Sequence, residues 1–529
     1  MENPVLKNLS FSGKSDSVSI GDTHYEFNVQ LLNSDGDSAG IKFASVVDFA
    51  ITDELASFFA TGYLTFQNNL DALESSQSIS TDVRGMPEQA FTPFRFRGDG
   101  RDLLLVNIKP AMGVNDDQGF NTSRSNSVGT QFELNYIFSI YETQDIVSDK
   151  DKNVKLKKLM FHEQSFQTLN ERNAYFSTMK SQQKNQASSS SKRLIGNTER
   201  SIDTGSAIKE LLTNTLSNDL TPPKFSSKWD TGKTKLFYSS PANNKAIDDL
   251  YYLLDYHVSE SDPSCPPALL RKNRNGAWSL IPITDLFQGA YYKGNAGFGD
   301  LGGPGMSENF IIARPNSGSG GTTSPQRNPQ VSIFANNLPD YSYAENFENA
   351  GMTADASTFG VVSHIVHNYD PATRTFSIDA KENNIQESMK KFNKNIVQTQ
   401  KGLAGKSPST NIVLNQTRTQ NQNVVHSFNP NTDPNSRLNS GSNKIILNSI
   451  FNNNTIAFRA RGSTAREAGK FITIKRNNSQ NESAFDNKIM GSYLVVRVDH
   501  VFKNDQYYNY LVCTKPYVAE STKQSSTVV

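Results

Sequence analysis

The segment QFELNYIFSIY, residues 131–141, puts Phe132, Leu134, Tyr136, Phe138 and Ile140 at every second position, with Glu133, Asn135 and Ser139 between them. Successive side chains of an extended chain point to opposite faces, so a period of two gathers the apolar groups on one side. This pattern predicts a half-buried antiparallel strand, and such a strand needs partners. HYEFNVQLL, GIKFASVVDFAI, GYLTFQN and RDLLLVNIKP supply them within the first 140 residues. Short strands at this spacing predict a small barrel or sandwich.

Further along, the period changes. Ile208, Leu211, Leu212 and Leu216 in AIKELLTNTL recur at helical spacing, as do Ile247, Leu250, Tyr251 and Leu254 in KAIDDLYYLLDYH. Both predict amphipathic helices, and residues 145–300 read as a mixed α/β region containing a polar connector at 181–193. Gly, Pro, Ser and Asn dominate residues 289–330, which read as loop. FGVVSHIVHNYDPATRTFSID predicts a hairpin turning near Asp370 and Pro371. Ile385, Met389, Phe392 and Ile396 then mark a helical stripe, with Asn384 and Glu387 placed like a cap. After a polar tract at 401–444, strands return in TIAFRA, KFITIKR, GSYLVVRVDHVF and YYNYLVCTKPY, the last two as a hairpin around Lys503–Gln506. The fold class is mainly β with an α/β insert (α+β).

Composition narrows the chemistry. Two cysteines, Cys265 and Cys513, make no disulfide framework and fit assembly in a reducing cytoplasm. MENPVLKNLS does not read as a secretory leader, and no apolar run reaches the length of a membrane span. The formal net charge is +1, but residues 1–150 hold 10 Lys+Arg against 21 Asp+Glu. An acidic first segment and a basic remainder point to segregated surfaces.

Motifs for catalysis or cofactors fail on their context. Gly297, Gly299 and Gly302 match G-x-G-x-x-G, but no apolar strand precedes them and Pro304 among further glycines blocks a following helix. Lys406 and Ser407 lack the first P-loop glycine, since position 400 is Gln400. Asn33, Asp35 and Asp37 lack the calcium-loop glycine and glutamate, whose places hold Ser38 and Ala44. His364 and His367 fall on opposite faces of a strand, and His162 lacks the second histidine of a zinc protease. No G-x-S-x-G and no cysteine nucleophile stands in a context fit for catalysis. We expect no cofactor, no metal and no enzymatic activity.

The C-terminal grammar is more specific. In FRARGSTAREAGKFITIKR, Gly462 precedes Arg466 and Gly469, and a strand then runs through Phe471. Gly491 precedes the strand from Tyr493 through His500 to Phe502, and an aromatic return strand carries Tyr508 and Tyr510. This order resembles the tail hub, or baseplate hub, proteins of tailed and especially contractile-tailed bacteriophages, and the hub part of type VI secretion spike proteins. ITDELASFFATGYLTFQNNLDALE, KTKLFYSSPANNKAIDDLYYLLDYHVSES and LLRKNRNGAWSLIPITDLF are similar to other parts of such hubs.

The resemblance implies two small antiparallel β-barrels per chain in a trimeric ring. Together with the periodicities above, it divides the chain into a first barrel at 1–144, the insert at 145–300, a Gly/Pro/Ser-rich loop region at 301–354, a second barrel at 355–520 with a helix and polar insertion at 381–444, and a flexible tail at 521–529; the polar tract and the loop are read from composition and match no part of such hubs. The second barrel would draw on 355–380 and 445–520. The implied partners are two further copies, a central spike, a tail tube, and baseplate wedge and tape-measure proteins, in the virion after assembly in the host cytoplasm. DNA would pass through without specific binding, and this chain would insert into no membrane. By residue type, Gly462, Gly469 and Gly491 read as turn glycines, and Arg466 and His500 as rim residues. Tyr508, Tyr510 and Val512 read as fillers of a barrel core, with interface anchoring as the other role. A β-rich host-surface or carbohydrate-binding adhesin is the competing class.

Overall fold

The computed structural model describes residues 16–75, 94–110, 133–147, 155–173, 179–180, 198–288, 308–312, 341–352, 361–370, 375–384, 412–416, 426–428, 454–476 and 491–515, apart from gaps of a few residues within those stretches. The described chain is mostly β, with few helices. The N-terminal strands are β1 (Asp16–Ile20), β2 (Thr23–Leu32), β3 (Ser38–Ile41), β4 (Val46–Glu54), β5 (Thr61–Gln67), β6 (Leu73–Ser75), β7 (Leu103–Pro110), β8 (Leu134–Val147) and β9 (Lys155–Glu163). They pair in the order β4-β5-β9-β8-β7-β2-β3-β6, with β1 on β2.

This sheet is curled into a half-barrel. β4 and β2 are five strand spacings apart, about 24 Å in a flat sheet, yet the rings of Phe49 and Phe27 lie 6.2 Å apart. The enclosed core holds Phe27, Phe49, Phe66, Leu104, Phe138 and Phe161. The alternating stretch behaves as its period predicts, with Leu134, Tyr136, Phe138 and Ile140 buried. Ser139, expected on the wet face, is also buried.

The sequence leads to one strand in GIKFASVVDFAI. A short 3-10 turn at Phe43–Ser45 divides it into β3 and β4. The sheet also runs past the expected boundary at 144/145, because β9 pairs with both β5 and β8. NSDGDSAG is the expected turn, where Gly36 at φ 91 donates its N–H to the Asn33 carbonyl.

The insert follows with α1 (Gln164–Glu171), the short ladder β10–β11 (Met179–Lys180, Thr198–Glu199), β12 (Ile202–Asp203), α2 (Thr204–Leu216), β13 (Lys224–Trp229), β14 (Lys235–Tyr238), α3 (Ala246–Asp255), β15 (Ala268–Lys272), β16 (Ala277–Pro282) and α4 (Ile283–Gln288). Asp203 caps α2 by accepting the Ser206 N–H. Ile208, Leu211, Leu212 and Leu216 of α2 and Ile247 and Leu250 of α3 enter one core with Trp278. Tyr251 does not follow its stripe; half-exposed, its ring packs on Phe58.

The remaining strands are β17 (Glu308–Ile312), β18 (Tyr341–Met352), β19 (Val361–Asp370), β20 (Thr375–Asn384), β21 (Ile412–Gln416), β22 (His426–Phe428), β23 (Asn454–Arg461), β24 (Phe471–Arg476), β25 (Gly491–Lys503) and β26 (Gln506–Lys515). β19 and β20 form the expected hairpin, and β25 and β26 turn through Asn504 and Asp505, both at positive φ. Two strands, β17 and β18, occupy a region read as loop. They also take the place expected for the β19–β20 hairpin, which instead forms a separate three-stranded sheet with β21. β21 and β22 lie in the polar tract, and β22 pairs with β14 of the insert. Asn384, placed as a helix cap, ends β20; Glu387 and the stripe from Ile385 to Ile396 lie outside the described residues, as do 181–193, 297–305 and 521–529.

Strands β18-β23-β26-β25-β24 repeat the topology of β4-β5-β9-β8-β7. The chain order matches, the sheet order matches, and every neighbouring pair is antiparallel. The repeat extends to single residues. The β7–β8 ladder ends at Leu103↔Ser139, after which Ile140 N–H donates to the Asp102 carbonyl and Tyr141 bulges from β9. The β24–β25 ladder ends at Phe471↔Leu494, after which Val495 N–H donates to the Lys470 carbonyl and Val496 bulges from β26. β25 then pairs with β4, which joins the two sets in one fifteen-stranded sheet.

Candidate functional site: the seam between the two strand sets

The seam pairs Asp48 with Lys503 at one end and Glu54 with Arg497 at the other. Its first half is apolar. Phe502 stacks on Phe49 at 5.6 Å and on Tyr507 at 4.1 Å with an interplanar angle of 3°. Tyr25 meets Tyr507 edge to face at 5.4 Å.

The second half is polar and buried. Arg271, at the end of β15, donates from Nη2 to Asp53 Oδ2 at 3.1 Å and to Glu467 Oε1 at 2.9 Å. Asp53 Oδ2 also accepts the Ala468 N–H at 3.1 Å. Arg274, in the β15–β16 turn, donates from Nε to Tyr136 Oη at 3.0 Å and through its other nitrogens to the carbonyls of Thr464 and Arg466. Its Nη2 lies 2.9 Å from His500 Nε2, and His500 Nδ1 lies 2.8 Å from Tyr507 Oη. Arg466 donates from Nη1 to Asn509 Oδ1 at 2.7 Å. Lys272 pairs with Glu163 at 2.5 Å, tying the end of β9 to the same place. One insert hairpin thus grips both strand sets.

Burial sets the charge states. Desolvation pushes His500 well below the usual imidazole range, and the neighbouring Arg274 and Arg466 push the same way. A proton there would add a third positive charge to a dry site. Burial raises the Tyr507 phenol. Desolvation opposes the charge of Arg274, but Tyr136, Glu467 and Asp53 outweigh it and hold the guanidinium protonated. Beside this network lies a cleft of about 140 Å³ lined by Asp53, Phe58, Tyr136, Glu163, Arg271 and Arg274, among others. Its chemistry is that of a weld, in which buried charges hold one another and backbone carbonyls in fixed geometry.

The expected residues collect here, in different roles. Gly462 is more than a turn glycine, since a Cβ on it would stand 2.2 Å from the Tyr507 ring. Gly469, at φ 85, is a left-handed turn residue whose Cβ would meet Arg271 Nη1. Gly491 is no turn residue but opens β25, paired with Ile474. Arg466 and His500, expected on a rim, are buried because the insert hairpin covers them. Phe471 and Tyr493 are buried on paired strands. On β26 the core face is Tyr507, Asn509, Leu511 and Cys513. Tyr508, Tyr510 and Val512, expected as core fillers, form the opposite, half-buried face, where Arg459 lies 4.5 Å over the Tyr508 ring.

Asp53, Arg271, Arg274 and Glu467 escape sequence reasoning. Arg274 sits in RKNRNG, which reads as a solvated turn, and the contacts that bury it span 138 to 226 residues.

One other cluster has the connectivity of a hydrolytic triad. Asp230 Oδ2 lies 3.3 Å from His257 Nε2, and His257 Nδ1 lies 2.9 Å from Thr204 Oγ1. Thr204 and His257 are fully buried, so the hydroxyl is closed to substrate. Among the described residues no group of three or more His, Cys, Asp or Glu is gathered as a metal site, and no helix is long and apolar enough to cross a membrane.

No protein-family model and no curated protein matches the sequence. Solved structures do align with it. The tail protein from Neisseria meningitidis MC58 aligns over 92% of this chain and 96% of its own, at 6% identity and a TM-score of 0.44. The 43 kDa tail protein of prophage MuSo2 from Shewanella oneidensis aligns over 93% and 99%, at 6% identity and a TM-score of 0.42. A chain of the Francisella PdpA–VgrG complex aligns over 95% of this chain and 60% of its own, at 8% identity and a TM-score of 0.39. The structural neighbours are thus tail proteins, one of them from a prophage, and a chain of a PdpA–VgrG complex.

Proposed function

We propose that this chain is a structural, non-enzymatic component of a phage tail: a homotrimeric baseplate hub that adapts a hexameric tail tube to a trimeric central spike. The observation that carries this reading is the five-strand repeat welded into one sheet. A chain with two equivalent strand sets gives a trimer six of them, so one ring is three-fold toward a spike and near six-fold toward a tube. The order of the Gly462–Phe471 and Gly491–Tyr510 segments supports the same reading. So does the seam, whose buried ion pairs hold the angle between the sets fixed.

In this reading the two sets are the two barrels, and the acidic first segment lines a channel through which DNA passes unbound, since like charge repels phosphate. Wedge and tape-measure proteins would meet the ring's outer and upper surfaces in the virion. The test is native mass spectrometry with negative-stain imaging of the purified chain. A species near three times 58.6 kDa, seen as a ring with a central hole, is expected. A strict monomer, alone and when co-expressed with the spike, overturns the reading. Saturable glycan binding by that monomer would replace it with an adhesin.

A further inference from the structure

The repeat leaves one position unmatched. β25 has β26 on one side. On its other side it pairs with β24 up to Leu494 and with β4 from Arg497 to Lys503. β8, its counterpart, has β9 on one side and β7 on the other up to Ser139. Beyond Ile140, no strand among the described residues pairs with that second side of β8. Residues 141–146 are all exposed. Of three exposed large apolar side chains among the described residues, two, Tyr141 and Ile146, lie on this edge. An open edge with apolar side chains invites another strand.

The strand that fits is also on the page. The counterpart of β4 is β18, and β17 covers only its residues Tyr341–Ala344, so the edge beyond them is open among the described residues. Within one chain these two open edges belong to different repeats and stay unpaired. We propose that the Tyr141–Val147 edge of β8 takes the Phe347–Met352 edge of β18 from a second copy of this chain, antiparallel, repeating between chains the β25–β4 seam. This deepens the hub reading and rests on it.

The register follows from the pairings. Thr143 and Leu159 stand as Val498 and Leu511 do, and Val498 pairs with Asp53. Through β23 and β26, Asp53 of β4 corresponds to Met352 of β18. Thr143 of one copy therefore opposes Met352 of the next. Two such contacts per chain, one edge given and one received, build a head-to-tail array rather than a two-fold dimer, and the three-fold symmetry of the proposed hub closes it into a ring.

The test uses the full chain carrying Thr143→Cys and Met352→Cys, oxidised under native conditions. Each single variant is a control, and Gln144→Cys and Glu142→Cys with Met352→Cys bracket the register by one residue either side. The expected result is a non-reducing gel ladder ending at a covalent trimer for the Thr143 pair, weaker for its neighbours and absent from the single variants. Ile146→Lys should abolish the trimer by native mass while the monomer keeps the wild-type far-UV circular dichroism spectrum, because its side chain is exposed in the monomer. A native trimer that gives none of the cross-links, or that survives Ile146→Lys, overturns the edge assignment and leaves the hub reading standing. A strict monomer in native mass, alone and with the spike, overturns both.

Discussion

Replacing Arg271 by methionine removes the charge that holds two buried carboxylates together. Arg271 and Glu467 have side chains at 6% and 2% exposure, and Asp53 at 12%. Methionine keeps most of the volume, so the packing loss is small, and the dominant cost is two anions left without their cation. Breaking a buried ion pair from one side costs about 3–5 kcal/mol. Asp53 keeps the Ala468 N–H and Glu467 keeps Lys470 at 3.7 Å, so the lower part of that range is expected. The assay is guanidinium unfolding read as a shift in midpoint at constant slope. The triple variant Arg271→Met, Asp53→Leu, Glu467→Met should recover most of the loss, since buried ion pairs replaced as a set are often neutral. A single-variant cost below about 1 kcal/mol, or a triple variant no better than the single, would refute the account of the seam as a dry, charge-held joint.

Other perturbations test other parts. Asp219, 4% exposed with Thr168 and Arg172 as partners, is pushed by burial up to about 6. The folded state then binds the extra proton, so stability is full below the unfolded value of 3.8 and falls as pH rises through 6, by at most about 3 kcal/mol; Asp219→Asn should remove that slope and raise stability at pH 7. For His500 the sign reverses: its depressed pKa gives stability that is present above pH 6.5 and lost below it, by up to about 1.4 kcal/mol per unit. Unfolding midpoints at pH 5, 6 and 7 for the wild type and His500→Gln should diverge below 6.5. Gly462→Ala drives a methyl into the Tyr507 ring and should cost about 1–3 kcal/mol, measured by thermal unfolding. Phe502→Ala empties a fully enclosed ring site between Phe49 and Tyr507 and should cost about 3–5 kcal/mol by the same measure.

Local periodicity made most of the fold legible. β2, β5, β7, β8, β23, β25 and β26 all stand where short apolar runs predict them; β8 alternates as expected over Leu134–Phe138, whereas Leu103–Val106 of β7 and Tyr493–Val496 of β25 are buried on both faces. β17 is not legible in the sequence: five residues, ENFII, between Gly- and Pro-rich segments carry too few alternations, and both strands that pair with it come later in the chain. The face of β26 was misassigned for a different reason. Tyr507 and Tyr508 are equal in apolar character; Tyr507 turns inward, where Gly462 leaves room for its ring and Phe502, Tyr25 and His500 hold it. The seam residues carry the same lesson for charge. Arg271 and Glu467 look solvated in their own segments, and only the folded chain brings them together.

The seam also sets a clock. β4 is complete at Glu54, while the strand that covers its edge begins at Arg497, about 440 residues later. At roughly 5–20 residues per second of synthesis, that edge waits on the order of 20 to 90 seconds for its partner. A chain released early lacks Phe502 and Tyr507 of its first core, the cover for β4, and Glu467 for Arg271. It would offer neighbours an open strand edge and a bare buried-type cation. The joint therefore works as a proof of completeness: only a chain read through to its last hairpin has both strand sets welded into one sheet.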